Sequence, residues 1–202
     1  MTDAGQTAPR RVAILSDTHG VLDQRVAGLV AQCDIAVHGG DIGGLAALAD
    51  LAPLDGRIYA VFGNNDTPRS WPSYELPALR HLPELVQLAL PGGGLVVIHG
   101  HQFPAKGRHA HLRRRFPEAR AIVYGHSHRL EIDREARPWV LNPGAAGRAR
   151  TYGGPSCLVL TASGEDWSLS VHRFGPVRRK AAARTDRSHT AHSTVPFGCR
   201  TR

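Results

Sequence analysis

Five short apolar runs, each ending in a glycine-flanked cluster of potential metal ligands, constrain this chain more than any other feature. Val12-Ala13-Ile14-Leu15 leads into Ser16-Asp17-Thr18-His19-Gly20, and Ile35-Ala36-Val37 into His38-Gly39-Gly40-Asp41. Ile58-Tyr59-Ala60-Val61-Phe62 leads into Gly63-Asn64-Asn65-Asp66, Leu95-Val96-Val97-Ile98 into His99-Gly100-His101, and Ala121-Ile122-Val123-Tyr124 into Gly125-His126-Ser127-His128. Aliphatic runs closed by glycine read as buried strands. Ligands in open α/β sheets collect beyond the carboxyl ends of the strands, so the five clusters are expected on one rim. Aspartate, asparagine and histidine without cysteine form the mixed oxygen and nitrogen donor set of a divalent transition metal, not a structural zinc knuckle.

The segments between the runs supply the rest of the architecture. Val21 to Val30 and Leu45 to Leu51 carry apolar residues at helical spacing, so the first sixty-odd residues read as a βαβαβ unit with parallel strands. Trp71 to Pro83 contains three prolines and reads as an irregular connection. Leu85 to Leu90, a Pro-Gly-Gly-Gly turn and Leu95 to Ile98 form a hairpin signal. Gly107 to Phe116 reads as a basic helix. Leu130 to Asp133, Trp139 to Leu141, Cys157 to Leu160 and Trp167 to His172 are short and mostly alternating, the pattern of a largely antiparallel second sheet. The expected fold is α/β: a two-sheet sandwich flanked by helices over residues 11–175, after a disordered segment 1–10.

The net charge of +8 points to nucleic acid only until it is located. Residues 176–202 hold seven Lys/Arg and one acid, whereas the body has 18 against 16. The end segment has no apolar periodicity and reads as a disordered basic tail. It leaves nucleic-acid binding possible, but no stacking aromatics are interleaved in it. Cys33, Cys157 and Cys199 form no Cys-x-x-Cys pair, so neither a disulfide framework nor a cysteine zinc site is expected. Without a long apolar stretch or a basic-then-apolar start, the chain is expected to be cytoplasmic and free of membrane.

The order Asp-x-His, Gly-Asp, Gly-Asn-x-Asp, His-Gly-His, Gly-His-x-His resembles the calcineurin-like metallophosphoesterase superfamily, in particular its small single-domain bacterial and archaeal phosphodiesterases. The match runs from Ser16 to His128 and continues into Leu141-Asn142-Pro143-Gly144. The resemblance implies two divalent ions: Asp17, His19 and His128 on the first, Asn64, His99 and His126 on the second, and Asp41 bridging both. The donors suit manganese first, with iron, nickel, cobalt or zinc possible. The implied reaction is hydrolysis of a small phosphodiester by a hydroxide held between the ions.

The chain departs from the larger phosphatases of the superfamily, which place a histidine after the ligand asparagine; here Asn65 and Asp66 follow Asn64. Asp66 is expected to orient a ligand histidine, ahead of serving directly as proton donor. His101 is a candidate to donate a proton or touch the phosphate. His38 is expected to pack away from the metals, His109 and His111 to lie on a solvated helix face, and Arg148 and Arg150 to approach the rim. Two alternatives stand beside the enzyme: a non-catalytic protein-binding scaffold, since the fold resembles that of a retromer coat subunit, and a nuclease recruited by the basic tail.

Overall fold

A computed structural model describes residues 8–175. The expected N-terminal segment, up to residue 7, and the expected basic tail lie outside the described residues. Two five-stranded sheets face each other. The first has the order β10-β9-β1-β2-β3, from Trp167–Arg173, Ser156–Ala162, Arg10–Leu15, Ile35–His38 and Arg57–Ala60. The second has the order β4-β5-β6-β8-β7, from Leu85–Leu90, Gly93–Ile98, Ala121–Val123, Trp139–Pro143 and Leu130–Asp133.

Period-two alternation divides the strands between two cores. Val12 and Ile14 of β1, Leu95 and Val97 of β5, Val123 of β6 and Leu158 and Leu160 of β9 interdigitate between the sheets. The alternate residues Ala13 and Leu15 face helix α1 (Gln24–Val30), which returns Val26 and Val30. Asp23 caps that helix by accepting from the Arg25 amide. On the opposite side Val96, Ile98, Ile122 and Val140 pack against Leu112 of α4 (Arg108–Arg115) and Phe116. A fourth cluster joins Ile42, Ala47 of α2 (Leu45–Ala49), Trp71 and Leu79.

The parallel βαβαβ unit is present: β1 pairs with β2 and β2 with β3, all parallel. The expectation of a second, largely antiparallel sheet made by the late strands needs correction. Those strands divide, β7 and β8 closing the second sheet while β9 and β10 extend the first. Both sheets are mixed, β5, β6 and β8 being parallel. Alternation reports which face of a strand is buried but not which sheet owns it, because both inner faces feed one core. The proline-rich connection is also more ordered than expected. It holds a 3-10 turn at Ser73–Glu75 and helix α3 (Leu76–His81), whose Pro77 sits in the first turn, where its missing N–H costs no intrahelical bond. Arg10 is already in β1, paired with Ala162. Cys33 and Cys157 are buried free thiols. Among the described residues no helix is long and apolar enough to cross a membrane.

Candidate metal centre

The five clusters leave the carboxyl ends of β1, β2, β3, β5 and β6 and are tied to one another by backbone bonds. Asp17 N–H donates to the Gly40 carbonyl at 3.0 Å, His19 N–H to Asp41 at 3.0 Å, and Gly125 N–H to His99 at 3.0 Å. Six described residues other than glycine have left-handed φ, and five are expected ligands: Asp17, His19, Asp41, His126 and His128. Each such conformation costs roughly 1–3 kcal/mol and persists only where the surroundings dictate it. Strain concentrated on side chains of one chemical kind marks a built site.

Asp17, His19, Asp41 and His128 offer ligand atoms that all lie within 4.8 Å of one another. The Nε2 atoms of His19 and His128 are 3.2 Å apart, His128 Nε2 stands 3.3 Å from Asp17 Oδ1, and His19 Nε2 stands 3.8 Å from Asp41 Oδ2. The His128 Nδ1 donates to the Arg150 carbonyl at 3.2 Å, which leaves Nε2 as the free donor atom. Asp17 is fully buried and neither of its oxygens accepts a hydrogen bond among the described residues. Burial pushes its carboxyl up to about 7, against the pull of the nearby His99. Burial likewise holds His128 down at about 4, so it presents a neutral ring at pH 7. An orphaned buried carboxylate facing two unprotonated imidazoles fits a divalent cation.

The second set adjoins the first through Asp41. His99 Nδ1 donates to the Gly39 carbonyl at 2.7 Å, and its Nε2 lies 3.1 Å from Asn64 Oδ1 and 3.4 Å from Asp41 Oδ1. The His126 ring stands edge-on to His99, centroids 5.3 Å apart. Burial opposes charge on both Asp41 and His99, yet their mutual attraction prevails, holding the Asp41 carboxyl far below the usual range and raising His99. Two close approaches require glycine. A Cβ at Gly63 would fall on Asp41 Oδ1, and one at Gly125 on the Ser16 hydroxyl.

Asp66 is held by backbone and indole donors and contacts no ligand histidine. Its Oδ1 accepts from Gly43 N–H at 2.9 Å and Trp71 Nε1 at 2.8 Å, and its Oδ2 from Ile42 N–H at 3.1 Å and Gly63 N–H at 2.8 Å. The four donors engage both carboxylate oxygens, and none of them is a histidine. It pins the Asp41 loop to the Asn64 loop. His101 lies beside the centre, its ring 5.4 Å from His99 and 6.3 Å from His126, with a buried Nδ1 that has no partner among the described residues. His38 is wholly buried, bonded through Nε2 to the Thr18 hydroxyl at 3.0 Å and accepting from Gly40 N–H at Nδ1, away from the ligand atoms.

Three residues complete the site without a clear sequence signal of role. Asn65 grips Asp41 with its backbone N–H at 2.8 Å and its side-chain amide at 2.6 Å. Arg150 reaches His19 Nε2 with Nη2 at 2.8 Å, as its position after the Asn142-Pro143-Gly144 turn led one to expect; Arg148 is exposed. Asn142 ties Gly125 and Ser127 together through its amide, at 2.8 and 3.0 Å.

Solved structures of several proteins share this fold at low sequence identity. A predicted phosphoesterase from Streptococcus pneumoniae is 22% identical, with a TM-score of 0.59 over 83% of this chain and 91% of its own. An archaeal phosphodiesterase is 20% identical, with a TM-score of 0.59 over 80% and 99%. Vps29 from Entamoeba histolytica, solved in complex with zinc, is 19% identical, with a TM-score of 0.58 over 82% and 98%. No curated protein matches the chain. The model of the calcineurin-like phosphoesterase superfamily domain matches residues 11–165, the span that contains every ligand candidate, and the chain belongs to that superfamily.

Proposed function

We propose that the protein is a dinuclear metal-dependent phosphodiesterase. The observation that carries this reading is the buried Asp17 carboxylate, unpartnered among the described residues and facing the neutral His128 ring beside His19 and Asp41. Asp17, His19 and His128 would hold one ion, Asn64, His99 and His126 a second, with Asp41 between them. Manganese is the favoured metal, and iron, nickel, cobalt and zinc suit the same donors. When bound, the ions supply a water acidified toward neutral pH and positive charge for the phosphoryl oxygens.

The chain's own residues set the rest. Gly39 and Arg150 orient His99 and His128 through their carbonyls, and Asn65 fixes both oxygens of Asp41. Burial and the charge of His99 lower the pKa of His101 and favour its neutral imidazole, a group able to hydrogen-bond to the phosphoryl group. With Asp66 fully engaged and Asn65 replacing a histidine, no strong acid stands at that position to protonate a leaving oxygen. Substrates that leave readily, phosphodiesters before alkyl monoesters, fit such a site. The scaffold reading predicts loss of ligands, whereas here all seven positions are filled.

The test is hydrolysis of bis(p-nitrophenyl) phosphate beside p-nitrophenyl phosphate, using metal-stripped protein reloaded with manganese and Asp41→Asn as control. Manganese-dependent diester cleavage, reduced by several orders of magnitude in the variant, is the expected result. A folded protein inert with every divalent metal would overturn the enzyme in favour of the scaffold.

A further inference from the structure

Helix α4 does not present the simple solvated face expected of it. Its first turn walls a cavity of about 480 Å3 with the loop between β6 and β7 and with β7 itself, lined by Arg108, His109, Tyr124, Ser127, Arg129 and Glu131. The cavity flanks the metal centre. Ser127, which lines it, stands in the chain between the candidate ligands His126 and His128.

The charges around this cavity do not balance locally. Asp133 is engaged by Arg113 at 2.6 Å and by His109 at 2.9 Å. Glu131 accepts from the Tyr124 hydroxyl at 2.5 Å and lies 3.5 Å from His109, which in turn meets that hydroxyl at 3.0 Å. The acids are therefore spent on other partners. Arg108 is only 9% exposed, yet its Nε and Nη2 reach nothing but the Phe103 carbonyl, and its plane lies over the Tyr124 ring. Arg129 lies over the Tyr152 ring. Neither guanidinium forms an ion pair among the described residues. A nearly buried arginine without a carboxylate is costly unless an anion completes it. The Ser127 hydroxyl already accepts from Asn142 Nδ2 and the Arg129 N–H, so its own proton is left to donate.

We propose that this cavity is a second anion subsite and that the substrate is a phosphodiester carrying a further terminal phosphate, held by Arg108, Arg129 and the Ser127 hydroxyl while the scissile group lies at the metal centre. Planar guanidinium groups suit the bidentate recognition of a phosphate, and the volume admits a linker as well as the group itself. The identity of the ligand as substrate rests on the phosphodiesterase reading; the subsite itself does not.

The test is calorimetric binding of ethane-1,2-diyl, butane-1,4-diyl and hexane-1,6-diyl bisphosphates, each against propyl phosphate, to manganese-loaded protein. The best bisphosphate is expected to bind about tenfold or more tightly than propyl phosphate. That ratio falls toward one in Arg129→Gln and in Arg108→Gln, and Arg129→Gln keeps the test valid if the more buried substitution fails to fold. Bisphosphates that bind no better than propyl phosphate, or a preference unchanged by either substitution, overturn the subsite. Hydrolysis of bis(p-nitrophenyl) phosphate by the same preparation separates the two claims. Hydrolysis without the preference refutes the subsite alone, and an arginine-dependent preference without hydrolysis refutes the phosphodiesterase alone.

Discussion

Replacing Asp17 with asparagine in metal-free protein separates what the carboxylate does for folding from what it does for metal. Its pKa is pushed by burial from 3.8 to about 7 in the folded chain. Below pH 3.8 the group is protonated in both states and costs nothing extra. As pH rises the unfolded chain ionises first, so stability falls at about 1.4 kcal/mol per pH unit until the folded group ionises near pH 7. The full penalty above that pH is about 4 kcal/mol, of which roughly 2–3 kcal/mol accrues between pH 5 and pH 8. A neutral amide of the same shape has no such slope. Urea denaturation of chelator-treated protein at both pH values should therefore show the stability of Asp17→Asn, measured against the parent, rising by about that amount from pH 5 to pH 8. Saturating manganese should reverse the order, because a ligand that binds only the native state stabilises the protein that binds it. A difference between the two proteins that does not change with pH would refute the account of Asp17 as an uncompensated buried charge.

Asp66→Asn places an NH2 against two N–H donors whichever way it turns, so it should cost about 2–4 kcal/mol in chemical denaturation. The pH profile of any remaining diesterase activity should keep its shape; a fully stable but inactive variant would return Asp66 to proton donation. Gly63→Ala drives a methyl into Asp41 and should lower stability by about 1–3 kcal/mol and halve, at least, the metal-to-protein ratio seen by elemental analysis. His38, kept neutral by burial with a pKa lowered to about 4, takes up a proton on unfolding, so its contribution is complete above pH 6.5 and lost as pH falls toward 4. Thermal melts of His38→Gln across that window should lose part of the parent's acid sensitivity, and an identical acid limb would exclude His38 as its source.

What could be read from the residues was the part of the structure governed by local rules. Apolar runs ending at glycine define a strand and its end, and parallel strands joined by helices must present those ends together, so the rim and its seven ligand candidates were legible. The sheet membership of β9 and β10 was not, because Cys157 and Leu158 carry the same alternating pattern whichever inner face they join. The proline count between Trp71 and Pro83 concealed α3, since proline in a first helical turn is compatible with the helix it usually stops. Asp66 was legible as polar and close to the site, but its four donors come from two separate loops and the indole of Trp71. Asn65 acts on Asp41 across 24 residues, for which neighbouring sequence holds no signal, and Arg150, though expected near the rim, gave no sign of its contact with His19 across 131 residues.

The place of β1 in its sheet also bears on synthesis. Val12 to Ile14 pair on one side with β2, only about two dozen residues later, and on the other with Leu158 to Leu160 of β9. During translation the central strand of the first sheet stays an open edge until almost the whole domain has left the ribosome. An apolar unpaired edge is a template for adventitious pairing, and the long wait for its partner is the kind of distant closure that slows folding. Chains that stop before Ser156 lose more than two peripheral strands: they leave Val12-Ala13-Ile14-Leu15 bare at the middle of the protein, and such fragments are bound for chaperones or aggregates rather than for a smaller folded domain.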